Sequence, residues 1–386
     1  MKAVLSLLVF LLPLAVTWSV GVTPENTNYI SGTSQISSSW SFESPRSVWS
    51  SPALIVDEHV FWHTNVGLHK LSLATGEPVT DEIIRVKSKS STVMINPSAD
   101  MMAMYQFPNM AQTDLHFIST DLSTHFTYPA TTPYDPVADA TGVVFCDQRI
   151  VTRVSWDGNL LQRRSVDDSI NLVPSFSGYY GFSFNNIYHL NPNLSVKWKK
   201  WYPGVRHLSA DHMNGMIFFG SSSWQERDFQ FFVGVFTSSG HPVEIFKRNV
   251  TRVHMNEGTL FSTVVSDSSV VFGVGERNGP LRLVHIPKTN EGYGDAKVII
   301  DLSESAEYQG HTVFPSNVIA VSFYDMSLDV YATRVVFIDL TTFEQIGELQ
   351  RENSKGLSIV GFGDLCVLWI SKGSHNVPNR LSADCL

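Results

Sequence analysis

Charge is the first thing this chain is short of. Only 16% of its 386 residues are Asp, Glu, Lys or Arg, against roughly a quarter in ordinary soluble domains. The 27 basic residues are outnumbered by 36 acidic ones, for a net charge of -9. A chain so charged does not hold a polyanion by bulk electrostatics, which argues against nucleic acid as a partner. Cysteine is scarce too: Cys146, Cys366 and Cys385 are the only three. That excludes a disulfide scaffold, so the interior must supply the stability. After the extreme N-terminus no stretch approaches the roughly 18 uncharged apolar residues of a bilayer-spanning helix. Amphipathic helical runs of about twelve or more residues are also missing, which counts against Rossmann and barrel α/β folds.

What is present is apolar and aromatic. Hydrophobic residues make up 43% of the chain, with 24 Phe, 12 Tyr and 9 Trp. Such a chain can bury a large core and is not disordered. Its length allows two or three ordinary domains or one large all-β domain.

Met1 and Lys2 precede an apolar run from Ala3 to Ala15, too short to span a bilayer and broken by Pro13. Thr17 and Ser19 are small residues suited to cleavage after Ser19, with Gly21 as an alternative end. Residues 1–19 therefore read as a secretory signal peptide and 20–386 as one mature domain. No cysteine follows the apolar run to carry a bacterial lipid anchor, so a soluble protein, extracellular or in the lumen of the secretory pathway, is expected. In that setting Asn193-Leu194-Ser195 and Asn249-Val250-Thr251 are glycosylation sequons, expected on surface loops or edges. Cys366 and Cys385, close together near the C-terminus, are the expected disulfide. Cys146, inside Val143-Val144-Phe145-Cys146, reads as an inert buried thiol.

Short apolar strands separated by turn residues recur along the whole chain. The clearest unit runs from Trp40 through Ser51-Pro52-Ala53-Leu54, His59-Val60-Phe61-Trp62-His63 and Gly67-Leu68-His69-Lys70-Leu71-Ser72-Leu73 to the turn Ala74-Thr75-Gly76-Glu77. Leu68, Lys70 and Ser72 alternate with His69, Leu71 and Leu73, the period-two pattern of a strand half exposed to solvent. Third strands of successive units fall near positions 71, 118, 154, 190, 236, 285 and 338. A period of about 44 residues with four strands per unit is that of a β-propeller. Seven units are visible. A fragment at 358–370 and the N-terminal segment are expected to join the two ends of the chain in one blade. The expectation is thus an all-β, single-domain propeller of four-stranded antiparallel blades, seven in number with eight as the alternative. A pair of β-sandwiches is the competing architecture.

Ser51-Pro52-Ala53, the strand after it, Gly67-Leu68-His69-Lys70-Leu71 and Ala74-Thr75-Gly76-Glu77 resemble the PQQ-like (quinoprotein-type) β-propeller repeat. That consensus has a strand ending in an Asp-x-x-Thr-Gly turn before a Trp. Ser72 stands in place of the Asp, and no Trp follows Gly76 at the usual distance. Val336-Phe337-Ile338-Asp339-Leu340-Thr341-Thr342-Phe343 is similar, with Phe343 in place of Gly. The resemblance implies the fold. Enzymes of the family hold a quinone against a Trp floor and a pair of adjacent cysteines, with Ca²⁺ on Glu, Asn and Asp. This chain has neither adjacent cysteines nor a Cys-x-x-Cys-His haem motif, so no cofactor is expected and quinone-dependent oxidation is the least favoured activity.

Other chemistry finds little support. The 13 histidines include no His-Glu-x-x-His and no tight His-x-His. His59, His63 and His69 are the densest group, but His59 and His63 stand about 13 Å apart along one strand, and all three read as structural, so no metal is expected. Asp57-Glu58-His59 reads as a turn between strands. No Gly-x-Ser-x-Gly elbow exists, and Ser221-Ser222-Ser223 reads as a loop. Gly273-Val274-Gly275-Glu276-Arg277-Asn278-Gly279 reads as a hairpin turn reversing at Asn278-Gly279. Lys197-Trp198-Lys199-Lys200-Trp201 has the residue types to stack on sugars or bases, but is expected to pack both tryptophans between blades while its lysines protect an edge strand. The expected function is non-catalytic binding of a protein or glycan through loops on one face of the disc. A secreted hydrolase or lyase with its site at the central channel is the alternative.

Overall fold

The computed structural model describes residues 40–44, 53–64, 66–80, 84, 91–106, 113–130, 134–175, 177–183, 185–211, 215–222, 228–236, 241–251, 260–265, 269–274, 282–290, 292–301, 306–314, 316–325, 332–352, 356–363, 365–371 and 379–386. Residues 1–19, read as a leader, lie outside them. Every regular element among the described residues is a strand, and the strands form eight sheets. Seven sheets are contiguous in the chain. Blade 1 holds Leu54–Val56, His59–His63 and Leu68–Ser72. Blades 2 to 7 occupy 91–130, 134–165, 171–201, 205–251, 260–301 and 306–352. The eighth is composite. Gly356–Phe362, Cys366–Ser371 and Asn379–Cys385 come from the C-terminal end, and Trp40–Ser44 is the outermost strand, antiparallel with Trp40 opposite Ala383. The seven units and the end-joining fragment of the sequence thus correspond to seven contiguous blades and a closing one. Trp40 belongs to the closing blade rather than to the sheet of residues 54–72.

The fold is a β-propeller of antiparallel blades, four-stranded except for blade 1, in which three strands are described. Its core consists of layers between blades rather than one central mass. Leu54, Val56 and Phe61 of blade 1 meet Met102, Met104 and Ile118 of blade 2. Val144 and Val151 of blade 3 meet Leu172 and Tyr188 of blade 4. Phe337 of blade 7 meets Trp369 of the closing blade, whose Leu368 and Leu381 in turn meet Ile55 and Trp62 of blade 1, completing the ring. Each fully buried large side chain contributes about 1.5–3 kcal/mol. Because a neighbour covers each face of a blade, Leu68, His69 and Leu71 are all buried although they alternate in direction. Lys70 and Ser72 stay half-buried while His69, Leu71 and Leu73 are buried, as the period-two alternation leads one to expect, and Leu68 is the one position that departs from it. Gly220 to Ser222 also differ from expectation. They extend the strand Gly215–Ser222, opposite Phe232 to Gln230, whereas Ser223 lies outside the described residues.

The turn that follows the third strand repeats in backbone more faithfully than in sequence. Gly76, Leu122, Gly158, Leu194 and Phe343 all take left-handed φ values, of 71°, 66°, 82°, 60° and 60°. Only two are glycine, the residue that adopts this conformation at no steric cost. Each turn also receives a side chain from the preceding blade. Trp40 lies against Gly76 and donates its Nε1–H to the Leu73 carbonyl at 2.8 Å. Phe126 lies against Gly158, and Gln162 Nε2 donates to the Asn193 carbonyl at 2.7 Å. A Cβ on Gly76 would sit 2.3 Å from Trp40 Cε3, so glycine is required there for space as well as for φ.

Candidate binding surface

In a propeller the 1–2 and 3–4 turns of every blade lie at one end of the disc, and the 2–3 loops and interblade links at the other. A polar cluster of blade 4 lies at the link end. It combines the link residues Asp167 and Asp168, the 2–3 loop residues Ser183 and Asn186, Tyr188 of the third strand, and Lys199 near the end of the outermost strand, Val196–Trp201. Asp168 Oδ2 accepts from the Tyr188 hydroxyl, from Asn186 Nδ2 at 2.8 Å and from Ser183 Oγ at 3.3 Å. Lys199 Nζ is 2.9 Å from Asp167 Oδ2 and 3.6 Å from Asp168 Oδ2, and stands 5.3 Å above the Tyr188 ring. Burial pulls the Asp168 pKa upward, but the bonds from Tyr188 and Asn186 and the charge of Lys199 outweigh it and hold the carboxyl below its ordinary value. Burial, followed by Asp168, pushes the Tyr188 phenol up to about 12. The Lys199 ammonium is held above its usual value, chiefly by its bond to Asp167.

Trp201 pairs with Asn186 in register, which puts an indole beside this cluster. It is 73% exposed, the most exposed large hydrophobic side chain among the described residues, and Asp167 is 77% exposed. This corrects the expectation that both tryptophans pack between blades. Only Trp198 does, against Val173, Tyr180 and Leu208. Alternation along a strand would place 198 and 201 on opposite faces, and Val196–Trp201, outermost in its sheet, has a free edge with no further strand beside it. Lys199 is likewise ion-paired rather than a free guard of the edge. An exposed indole flanked by carboxylates, an amide and an ammonium can stack on a flat apolar face while bonding the hydroxyls around it.

The remaining residues singled out in the sequence are dispersed. His69 accepts or shares protons with Ser44 Oγ at 3.2 Å and Thr64 Oγ1 at 3.1 Å inside the seam of the ring. His63 is buried nearby in the chain, and His59 is half-buried beside the hairpin turn at Asp57 and Glu58. Histidine-to-serine pairs recur at His189 with the exposed Ser177 and, buried, at His285 with Ser269. Among the described residues no three His, Cys, Asp or Glu side chains gather closely enough to hold a metal ion. The strands Ser269–Val274 and Arg282–Thr289 pair as a hairpin, and Asn278-Gly279 lies outside the described residues. Asn193 is exposed in the 3–4 turn of blade 4, its Oδ1 accepting from Ser195 N at 3.1 Å and Ser195 Oγ at 2.6 Å. Asn249 lies on the outermost strand of blade 5, opposite Gln230. Cys366 and Cys385 face each other across the closing blade as a disulfide. Cys146 is free and buried, its thiol pKa raised by that burial.

No protein-family model matches the chain, nor does any curated protein sequence. Solved structures do. The dihydro-heme d1 dehydrogenase NirN, in complex with DHE, superposes with a TM-score of 0.57 at 11% identity, over 79% of this chain and 67% of its own. The β-propeller domain of the Trilobed protease from Pyrococcus furiosus gives 0.47 at 8% identity, over 88% and 96%. U3-55K gives 0.46 at 9%, over 90% and 98%. Likeness at such identities concerns the fold and carries no chemistry.

Proposed function

We propose that this chain is a secreted, non-catalytic β-propeller that recognises a protein or glycan ligand through the link end of its disc, with a glycan favoured. The observation that carries the reading is Trp201, an indole left open to solvent beside the Asp167, Asp168, Asn186 and Lys199 cluster. Its flat face suits the apolar side of a pyranose ring, and the carboxylates and amide suit the hydroxyls at its rim. A glycoside hydrolase of the two-carboxylate kind needs one carboxyl held protonated near neutral pH. Asp168 is driven in the opposite direction, which favours binding over bond cleavage at this place.

Secretion is supported by the apolar leader and by the Cys366–Cys385 bridge, which an oxidising compartment preserves. In that compartment Asn193, exposed on its turn, is the sequon best presented for glycosylation, with Asn249 on an outer strand the second. A glycan array and a pull-down probed in parallel with wild-type and Trp201→Ala protein test the proposal. Loss of an exposed aromatic anchor should weaken the bound glycan by about 30-fold, on the order of 2 kcal/mol. An array signal that ignores Trp201 refutes this surface, and capture of a protein with no glycan signal transfers the assignment to the protein class.

A further inference from the structure

We propose that His116 and His125 form a surface site for a divalent transition-metal ion, Cu²⁺ or Zn²⁺. The site is on blade 2 and independent of the Trp201 surface. His116 is in the third strand, Thr113–Ser119, and His125 opens the fourth, His125–Ala130. His116 is opposite Thr127 and Ile118 is opposite His125, so the two imidazoles are diagonal neighbours on one face of the sheet, within reach of each other for long or aromatic side chains. Their rings lie nearly parallel, 28° apart with centroids 5.4 Å apart, and His116 Nδ1 is 3.1 Å from His125 Nε2.

One of these nitrogens donates to the other, so a single proton occupies the space between two lone pairs. Nitrogens bound to one tetrahedral ion at about 2.0–2.1 Å stand about 3.3 Å apart, a few tenths of an ångström from the separation found. An entering ion needs only one ring to move its proton to the other nitrogen, a tautomer change that leaves both imidazoles neutral. Burial, and for His116 the nearness of His125, already disfavours their protonated forms. Asp114 is two residues before His116 on the same face, and its charge is felt at His116, adding a field that attracts a cation. With only two protein ligands the remaining positions are left to water, and the imidazole set selects Cu²⁺ over Zn²⁺ and Zn²⁺ over Mn²⁺.

The test is titration of the full chain, expressed without a polyhistidine tag, with CuCl₂ and separately with ZnCl₂, against His125→Gln and His116→Gln. We expect nitrogen hyperfine couplings from two imidazoles in the Cu²⁺ electron paramagnetic resonance spectrum, and affinity at least tenfold weaker in His125→Gln, whose side chain is exposed and whose fold is therefore undisturbed. Equal affinity in wild type and His125→Gln, or a spectrum without two-nitrogen coupling, overturns the site. His116→Gln serves as the second arm and must show the same loss with its thermal unfolding unchanged by more than the His125 variant's.

Discussion

The docking of Trp40 on Gly76 gives the sharpest energetic prediction, because it closes the ring through a contact that sequence distance conceals. Substituting alanine at Gly76 perturbs two things. A left-handed φ of 71° costs an alanine about 1–2 kcal/mol. The added Cβ would also lie 2.3 Å from Trp40 Cε3 and 2.5 Å from Cδ2, so the buried indole must leave its place and its bond to the Leu73 carbonyl. Emptying such a site costs on the order of 3–5 kcal/mol when complete. With partial relaxation, Gly76→Ala should destabilise by about 3–5 kcal/mol. Urea unfolding followed by circular dichroism measures it, with Gly292→Ala as control, since Gly292 shares a positive φ but has nothing within 4 Å of its Cβ position. In a Trp40→Ala background the Gly76 substitution should cost only the backbone share, about 1–2 kcal/mol. A Gly76→Ala cost below about 0.5 kcal/mol, or one unchanged by removing Trp40, refutes the reasoning.

Other consequences follow from the same structure. Replacing Cys366 and Cys385 by serine opens a loop with a sequence separation of 19 and should cost about 3 kcal/mol, read from the same urea curves; an unchanged midpoint contradicts the bridge as a stabiliser. Burial lowers the His69 pKa from 6.5 to about 4. A histidine so depressed adds stability that is full above the unfolded value and is lost as pH falls from 6.5 towards 4, up to about 3 kcal/mol. His69→Gln should flatten that decline, and a pH profile parallel to wild type speaks against it. Tyr179 donates to Asp139 and accepts from Arg153 Nη2 at 2.7 Å between blades 3 and 4. Tyr179→Phe should therefore destabilise by about 1–3 kcal/mol, and a neutral result shows the network to be replaceable by water.

What was legible in the sequence was what local pattern controls. Gly76 takes the positive φ its turn demands, Asp57 and Glu58 form a hairpin, and the strand period of the repeat gives the propeller. Contacts between blades were not legible, because they join residues that no local period relates. Trp40 pairs with Ala383 across nearly the whole chain. Leu122, Leu194 and Phe343 adopt the conformation of Gly76 under tertiary constraint that overrides propensity, so the repeat fades in sequence where it persists in space. The same reason hid the candidate sites. His116 and His125 meet across two strands rather than within a His-x-His, and Trp201 is exposed only because its strand is outermost in its blade. A basic and aromatic run on an edge strand was the available signal for Trp201. For the histidine pair, two imidazoles flanking a predicted 3–4 turn would have been one.

The central claim is that Trp201 and the neighbouring carboxylates recognise a carbohydrate, and a binding isotherm tests it most directly. Calorimetric titration of wild type and Trp201→Ala with the same array-positive glycan should show about 30-fold weaker binding in the variant, with thermal unfolding unaltered because the side chain is 73% exposed. Equal isotherms for the two proteins would contradict the account.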